Sequence, residues 1–163
     1  DPSAHPQARA VALERLQALW GGLTTGERRT FALRAPRPFW GQVWKVPDAR
    51  VLGAFLQHPR LGLESLLGLI QVPLAPAQAD ALLRSRWREI QPVAHQVLLA
   101  MDGTFRRQEP PLVLGQAAPW IKVLPPEERL ILASRLGHPP LRRKVRTWAG
   151  GWRAGLDPNL PPE

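Results

Sequence analysis

Residues 125–146 read PPEERLILASRLGHPPLRRKVR, and the pattern of this stretch indicates a helical fold. Two prolines are followed by two acids, an order that suits the first turn of a helix. Apolar residues then recur at helical spacing until the stop GHPP at residues 137–140, and a second amphipathic run begins at Leu141. The stretch therefore predicts two short helices, at about residues 126–136 and 139–149, joined by a tight turn.

The composition favours helix along the whole chain. Leu and Ala supply 46 of the 163 residues, whereas Val, Ile, Thr and Tyr together supply 19. Leu and Ala lose little conformational freedom in a helix, and the second group is the one that packs well on a sheet. The 19 prolines divide the helical segments into short pieces, because proline cannot continue a helix interior. We therefore expect an all-α protein with little or no sheet.

Caps, stops and apolar spacing together predict about nine short helices. Thr24 and Glu27 form a capping-box pattern, Asp48 precedes an apolar run, and Pro76 and Pro92 stand where a first helical turn accepts proline. The predicted helices cover residues 6–20, 24–35, 38–46, 48–58, 62–71, 76–89, 92–103, 126–136 and 139–149.

One helical domain is predicted over residues 1–149, followed by a Gly/Pro-rich C-terminal tail over residues 150–163. Within the domain, residues 103–111 are predicted to be loop, and residues 112–114 are the one short stretch with strand character. No apolar run reaches the roughly 18 residues that a transmembrane helix needs.

Two segments of the chain resemble each other. Residues 56–61 and 136–141 share the pattern L-x-H-P-x-L, and each follows an acid-capped apolar helix. This similarity is typical of helices that return in antiparallel hairpins, as in α-solenoids. A second similarity, between residues 23–28 and 124–129, has a different offset, so the two do not define one period. Two architectures stay open, an α-solenoid-like repeat and a compact irregular helical domain.

The sequence carries no motif for catalysis or metal binding. Cys is absent, the histidines at 5, 58, 95 and 138 lack metal-ligand spacing, and the serines lie in no nucleophile motif. We therefore expect a protein that is not an enzyme and that holds no cofactor. His58 and His138 each precede a proline at a helix end, where contact with the last helical carbonyl groups is expected.

Charge is the strongest global signal. The chain has 22 basic and 13 acidic residues, a net charge of +9, and residues 129–156 contain no acid at all. Such a field favours an anionic partner: nucleic acid, an acidic protein or an anionic membrane surface.

The best candidate site is the basic amphipathic helix predicted at the C-terminus. Leu141, Val145, Trp148 and Trp152 fall on one stripe, and cations occupy the rest of the surface. We predict that this segment binds phosphate groups. The predicted ligand-binding residues are Arg142, Arg143, Lys144, Arg146, Arg153, Trp148 and Trp152.

Two other interpretations of this helix stay open. In the first, the stripe docks on the domain and the cations are only a solvated face. In the second, the tryptophan edge enters a membrane interface; the Gly150-Gly151 pair disfavours a long membrane helix, so peripheral membrane contact ranks below nucleic acid. Of the other tryptophans, Trp20, Trp40 and Trp87 are predicted to be core.

A secondary basic patch of Arg34, Arg37 and Lys45 is expected to contribute. The function hypothesis is a basic binding module that contacts nucleic acid backbone without base-specific readout, since no helix-turn-helix is recognisable. The alternative is a helical-repeat scaffold, or adaptor subunit of a larger assembly, that docks a protein partner. A cytoplasmic location is expected, with an exported mature form left open.

Overall fold

The computed structural model describes residues 6–70, 73–107 and 112–156, whose regular secondary structure is all helical. No described residue lies in a strand. Short 3-10 helices at Arg37–Phe39 and Leu114–Ala117 precede two of the α-helices. The α-helices are α1 (Pro6–Trp20), α2 (Thr25–Arg34), α3 (Trp40–Trp44), α4 (Ala49–Leu56), α5 (Leu63–Leu69), α6 (Pro76–Leu83), α7 (Gln91–Arg106), α8 (Ala118–Val123), α9 (Pro126–Arg135) and α10 (Pro139–Leu156).

The helix starts follow the local sequence signals. Thr24 Oγ1 accepts from Glu27 N at 3.2 Å, and the Glu27 carboxylate accepts from Thr24 N at 2.6 Å, which completes the predicted capping box. The hydrogen bonds with Thr24 hold the pKa of Glu27 below its usual value. Asp48 caps α4 by accepting from Arg50 N at 2.9 Å, and this bond lowers the pKa of Asp48. Prolines open α6 and α9, as expected.

One continuous core joins the helices. Helix α4 packs between α2 and α6, α7 contacts both α5 and α8, and α10 packs against α9. The largest side chains that are fully buried come from α4 to α8 and from the segments that follow α5 and α8. They are Trp120, Phe55, Leu52, Leu56, Leu66, Ile70, Leu74, Leu82, Leu98, Met101, Ile121 and Leu124.

Several predicted boundaries in the middle of the chain are wrong. Helix α6 ends at Leu83 instead of Glu89, although Trp87 in the following turns is buried as predicted. Helix α7 continues through Gly103 to Arg106, so part of the predicted loop is helical. Of residues 112–114, the short stretch with strand character, Leu112 and Val113 lie in no regular element and Leu114 begins a 3-10 helix.

Helix α8 was not predicted. It has only six residues, too few for apolar periodicity to be visible in the sequence. It nevertheless buries Trp120 and Ile121, so its stability comes from packing rather than from helix propensity.

Helix α10 is longer than predicted. It runs to Leu156, through Gly150 and Gly151, whereas the sequence placed its end at Ala149. Glycine inside a helix costs only about 1 kcal/mol relative to alanine, so it does not compel a stop. Of the predicted tail, residues 157–163 lie outside the described residues, and the division into domain and tail stays a prediction.

The two L-x-H-P-x-L segments play different roles. His58 is buried and its Nε2 contacts Ala35 O of an earlier helix end at 3.0 Å. His138 directly precedes α10, accepts from Leu141 N at 3.3 Å and stacks on Phe105. The prediction that His138 contacts the last carbonyl groups of α9 is wrong, because it contacts the start of α10 instead. These contacts do not support a repeat.

Side-chain donors satisfy carbonyl groups at the C-terminal ends of six helices. A helix leaves its last four carbonyl groups without intrahelical partners, and a buried one needs a donor. Each donor here is an Arg, Trp, His or Gln side chain from elsewhere in the chain. The pairs are Arg28 with Trp20 O, Trp40 and His58 with Ala35 O, Gln78 with Trp44 O, Trp87 with Leu56 O, Gln96 with Ile70 O, and Arg129 with Leu124 O.

The turn between α9 and α10 is held by a buried carboxylate of α7. Asp102 is 5% exposed. Its oxygens accept from Gly137 N at 3.0 and 3.1 Å and from His138 N at 2.7 Å. These donors belong to the N-terminal end of α10, where a negative charge is favoured. Asp102 therefore fixes where α10 starts.

Asp102→Asn should lower the free energy of unfolding by about 2–3 kcal/mol, because the new amide group turns a donor toward backbone N–H groups that need an acceptor. Urea denaturation measures the change. Asp80→Asn is the control, since Asp80 pairs only with exposed Arg84, and we expect it to cost about 0.5 kcal/mol or less. Equal losses in the two variants would contradict the role given to Asp102.

Candidate anion-binding surfaces

The apolar stripe of α10 is docked on the domain. Leu141 and Val145 are fully buried, and α10 contacts α9 and α8. The first part of the predicted stripe is therefore core, as the docking interpretation required.

The cations of α10 do not share one environment. Arg143 and Arg146 are exposed and Lys144 is half-buried, and none of the three forms an ion pair with a described residue. Arg142 is half-buried and lies over the turn before the helix. Its Nη2 is 3.5 Å from Gly137 O, and its Nε is buried without a hydrogen-bond partner among the described residues. Arg142 is thus partly a structural residue.

The remaining predicted residues of this site lie outside the described side chains. Trp148, Trp152 and Arg153 belong to α10, whose backbone is described through Leu156. Because α10 continues through Gly150 and Gly151, the expected break no longer argues against a membrane helix. None of the described helices combines the length and apolar character of a bilayer span.

A second cation reaches the α9–α10 turn from α7. A methyl group placed on Gly137 would lie 2.8 Å from Arg106 Cδ, so the Arg106 side chain crosses this glycine closely. Arg106 and Arg142 therefore meet at Gly137. Arg106 was not among the predicted site residues, because residues 103–111 were predicted to be loop.

The secondary basic patch is rearranged in the structure. Arg34 and Arg37 line a cleft of about 530 Å³ together with Arg60, which the sequence analysis did not select. Lys45 does not line the cleft; it is the exposed C-cap residue of α3. The other lining residues are Leu33, Ala35, Trp40, His58 and Pro59.

His58 connects the two sides of this cleft. Its Nδ1 accepts from Arg60 N at 3.1 Å. The ring's proton is therefore on Nε2, which donates to Ala35 O at 3.0 Å. Ala35 O also accepts from Trp40 Nε1 at 2.8 Å. One carbonyl oxygen thus joins the end of α2, the start of α3 and the turn after α4.

The tryptophans near the cleft are core residues. Trp40 and Trp44 are 6% and 4% exposed, and both have ring contacts with Phe55. Trp40 is buried as predicted, whereas Trp20 is only half-buried. The guanidinium carbon of Arg37 lies 5.8 Å from the Trp40 ring centroid, which is cation–π distance.

Apolar surface is also present. Leu130 and Ile131, which are consecutive residues of α9, are 56% and 55% exposed. A smaller groove of about 200 Å³ lies between α1 and α3, lined by Leu16, Gln17, Trp20, Gln42, Val43 and Val46.

The described residues contain no group of three or more His, Asp or Glu side chains that could hold a metal ion. Comparison with known protein families, curated proteins and solved structures finds no match.

His58→Ala should lower the free energy of unfolding by about 2–3 kcal/mol, because the part-buried N–H of Arg60 loses its acceptor and the buried carbonyl group of Ala35 loses one of its two donors. Urea denaturation is again the measurement. His95→Ala serves as the control, since the His95 side chain is half-buried and makes no hydrogen bond to a described residue. A loss for His58→Ala no larger than that of the control would show that the bridge does not stabilise the fold.

Proposed function

We propose that this protein is a non-enzymatic basic binding module that contacts nucleic acid backbone through α10. The observation that supports this most is the division of α10 into two faces. Its apolar residues Leu141 and Val145 are buried in the domain, and its cations Arg143 and Arg146 are exposed without acidic partners among the described residues.

The electrostatics of α10 support phosphate as the ligand. Four cations stand within residues 142–146, and no acidic residue occurs between Arg129 and Leu156. Exposed guanidinium groups match phosphate oxygens with two parallel hydrogen bonds. Each neutralised phosphate also releases counterions, so the affinity depends strongly on salt.

Contacts of this kind carry no base information. We therefore propose recognition of the backbone without base-specific readout, with Arg142 holding the helix start rather than reaching the ligand. A cytoplasmic location is part of the proposal, because that is where a nucleic acid partner is available.

A protein-interaction scaffold is the second candidate function. The exposure of Leu130 and Ile131 on α9 favours it, because large apolar side chains that are exposed to solvent are available for docking a partner. An acidic protein would also bind the α10 cations. Salt distinguishes the candidates, since an apolar contact barely responds to ionic strength.

Fluorescence anisotropy of a labelled 20-base-pair duplex and of single-stranded DNA and RNA, titrated at several salt concentrations, tests the proposal. For duplex DNA, the logarithm of the binding constant should fall against the logarithm of salt with a slope of about −0.9 per phosphate contact. The variant Arg143→Glu/Lys144→Glu/Arg146→Glu should bind at least about thirtyfold more weakly at low salt and show a slope shallower by about 3.

The matched control is Arg15→Glu/Arg29→Glu/Arg88→Glu, which makes the same charge change at exposed positions away from α10. If both variants lose affinity equally, the binding is diffuse and α10 is not the site. If the intact chain does not bind any of the probes at low salt, nucleic acid is not the partner.

A further inference from the structure

The cleft lined by Arg34, Arg37 and Arg60 is a separate concentration of positive charge. Arg34 belongs to α2, Arg37 to the 3-10 helix that follows it, and Arg60 to the turn after α4. All three side chains are exposed, and none forms an ion pair or a hydrogen bond with a described residue. No acidic residue is among those that line the cleft. Three arginines with exposed side chains therefore line one space, and the lining contains no counter-charge.

The backbone that carries these arginines is fixed before any ligand arrives. His58 links Arg60 N to Ala35 O, the residue after Arg34. On the outer side of the same turn, Arg86 Nη2 donates to Leu61 O at 3.2 Å and contacts His58 O at 3.4 Å. Arg37 rests against the Trp40 ring. A site held in this way loses less conformational entropy when it binds a ligand.

Two carbonyl oxygens of the residues that line the cleft already have hydrogen-bond donors. Ala35 O already accepts from Trp40 Nε1 and from His58 Nε2, so both of its lone pairs are engaged. The carbonyl oxygens of His58 and Leu61 accept from Arg86. Ala35 O and His58 O are therefore not free acceptors, and the charged side chains among the lining residues are those of the three arginines.

The size of the cleft indicates more than a bare ion. At about 530 Å³ it falls in the range of about 300–1,000 Å³ that is typical of small-molecule sites. Leu33 and Pro59 add apolar surface beside the cations. Such a site suits a phosphate group attached to an organic body.

We propose that this cleft binds a phosphate monoester, with the guanidinium groups of Arg34, Arg37 and Arg60 around the phosphate. A monoester carries a charge of about −1.5 to −2 at neutral pH, whereas the diesters of a nucleic acid backbone carry −1. Three cations around one space favour the more highly charged group. This site uses none of the residues of α10 and does not rest on the function proposed above.

Calorimetric titration with adenosine 5′-monophosphate, adenosine and 3′,5′-cyclic adenosine monophosphate tests the proposal on the intact chain. The monoester should bind at least about tenfold more tightly than the nucleoside and than the cyclic diester, because only the monoester is a dianion. Inorganic phosphate should compete with the monoester. Equal binding of the monoester and the nucleoside, or no binding of the monoester at millimolar concentration, would overturn the proposal.

The variant Arg34→Gln/Arg60→Gln should weaken monoester binding by at least about tenfold for each arginine removed. Arg15→Gln/Arg29→Gln is the matched control with the same change of charge, because both arginines are exposed and neither lines the cleft. Circular dichroism checks that each variant is folded, and the comparison of ligands on the intact chain needs no variant. An equal loss in the control would mean that general positive charge, and not the cleft, attracts the ligand.

The source of the monoester is distinguished by a pair of oligonucleotides, one with a 5′-phosphate and one with a 5′-hydroxyl group. Tighter binding of the 5′-phosphorylated strand, lost in Arg34→Gln/Arg60→Gln, identifies the end of a nucleic acid strand as the ligand. No difference between the strands, with the monoester still preferred over the nucleoside, identifies a free phosphorylated small molecule. Both results support the monoester site.

Discussion

Every helix leaves the carbonyl groups at its C-terminal end without intrahelical hydrogen-bond donors. In this chain, side chains from other segments supply donors to several of them. Ala35 O accepts from both Trp40 and His58, and Trp20 O accepts from two nitrogens of Arg28. An unpaired buried carbonyl group costs free energy comparable to a lost hydrogen bond. The described part of the chain is divided into ten α-helices, most of them short, and it therefore depends on these donors as well as on its core.

This constraint divides the arginines into two classes. Arg28, Arg86 and Arg129 donate to carbonyl groups and hold the fold together. Burial also lowers the pKa of Arg129. The side chains of others, such as Arg34 and Arg146, are exposed and make no hydrogen bond to a described residue. The net charge of the sequence therefore overstates the charge that a ligand meets, and the structure shows where the accessible part lies.

Features that depend on neighbouring residues could be predicted from the sequence. The Thr24 capping box, the Asp48 cap and the starts of α6 and α9 are encoded within a few residues, and all were confirmed. The all-α fold follows from composition for the same reason, since helix propensity is a local property.

Features that depend on distant residues could not be predicted. Helix α8 exists because Trp120 and Ile121 are buried by other helices. Arg60 lines the same cleft as Arg34 because α4 packs on α2 and His58 contacts Ala35, 23 residues earlier. Nothing near Arg60 in the sequence marks it as part of a site. The α10 cations could be found from sequence because they are consecutive, although only the structure separates Arg142 from its neighbours.

Hydrogen exchange of the arginine Nε–H groups, followed by NMR, tests directly whether the arginines fall into these two classes. The Nε–H groups of Arg28 and Arg129 donate to carbonyl groups at 3.2 and 2.7 Å, whereas that of Arg34 is exposed. We predict exchange at least about tenfold slower for the first two, with no change in their signals when phosphate is added. Exchange of Arg28 and Arg129 as fast as that of Arg34 would contradict this division of the arginines.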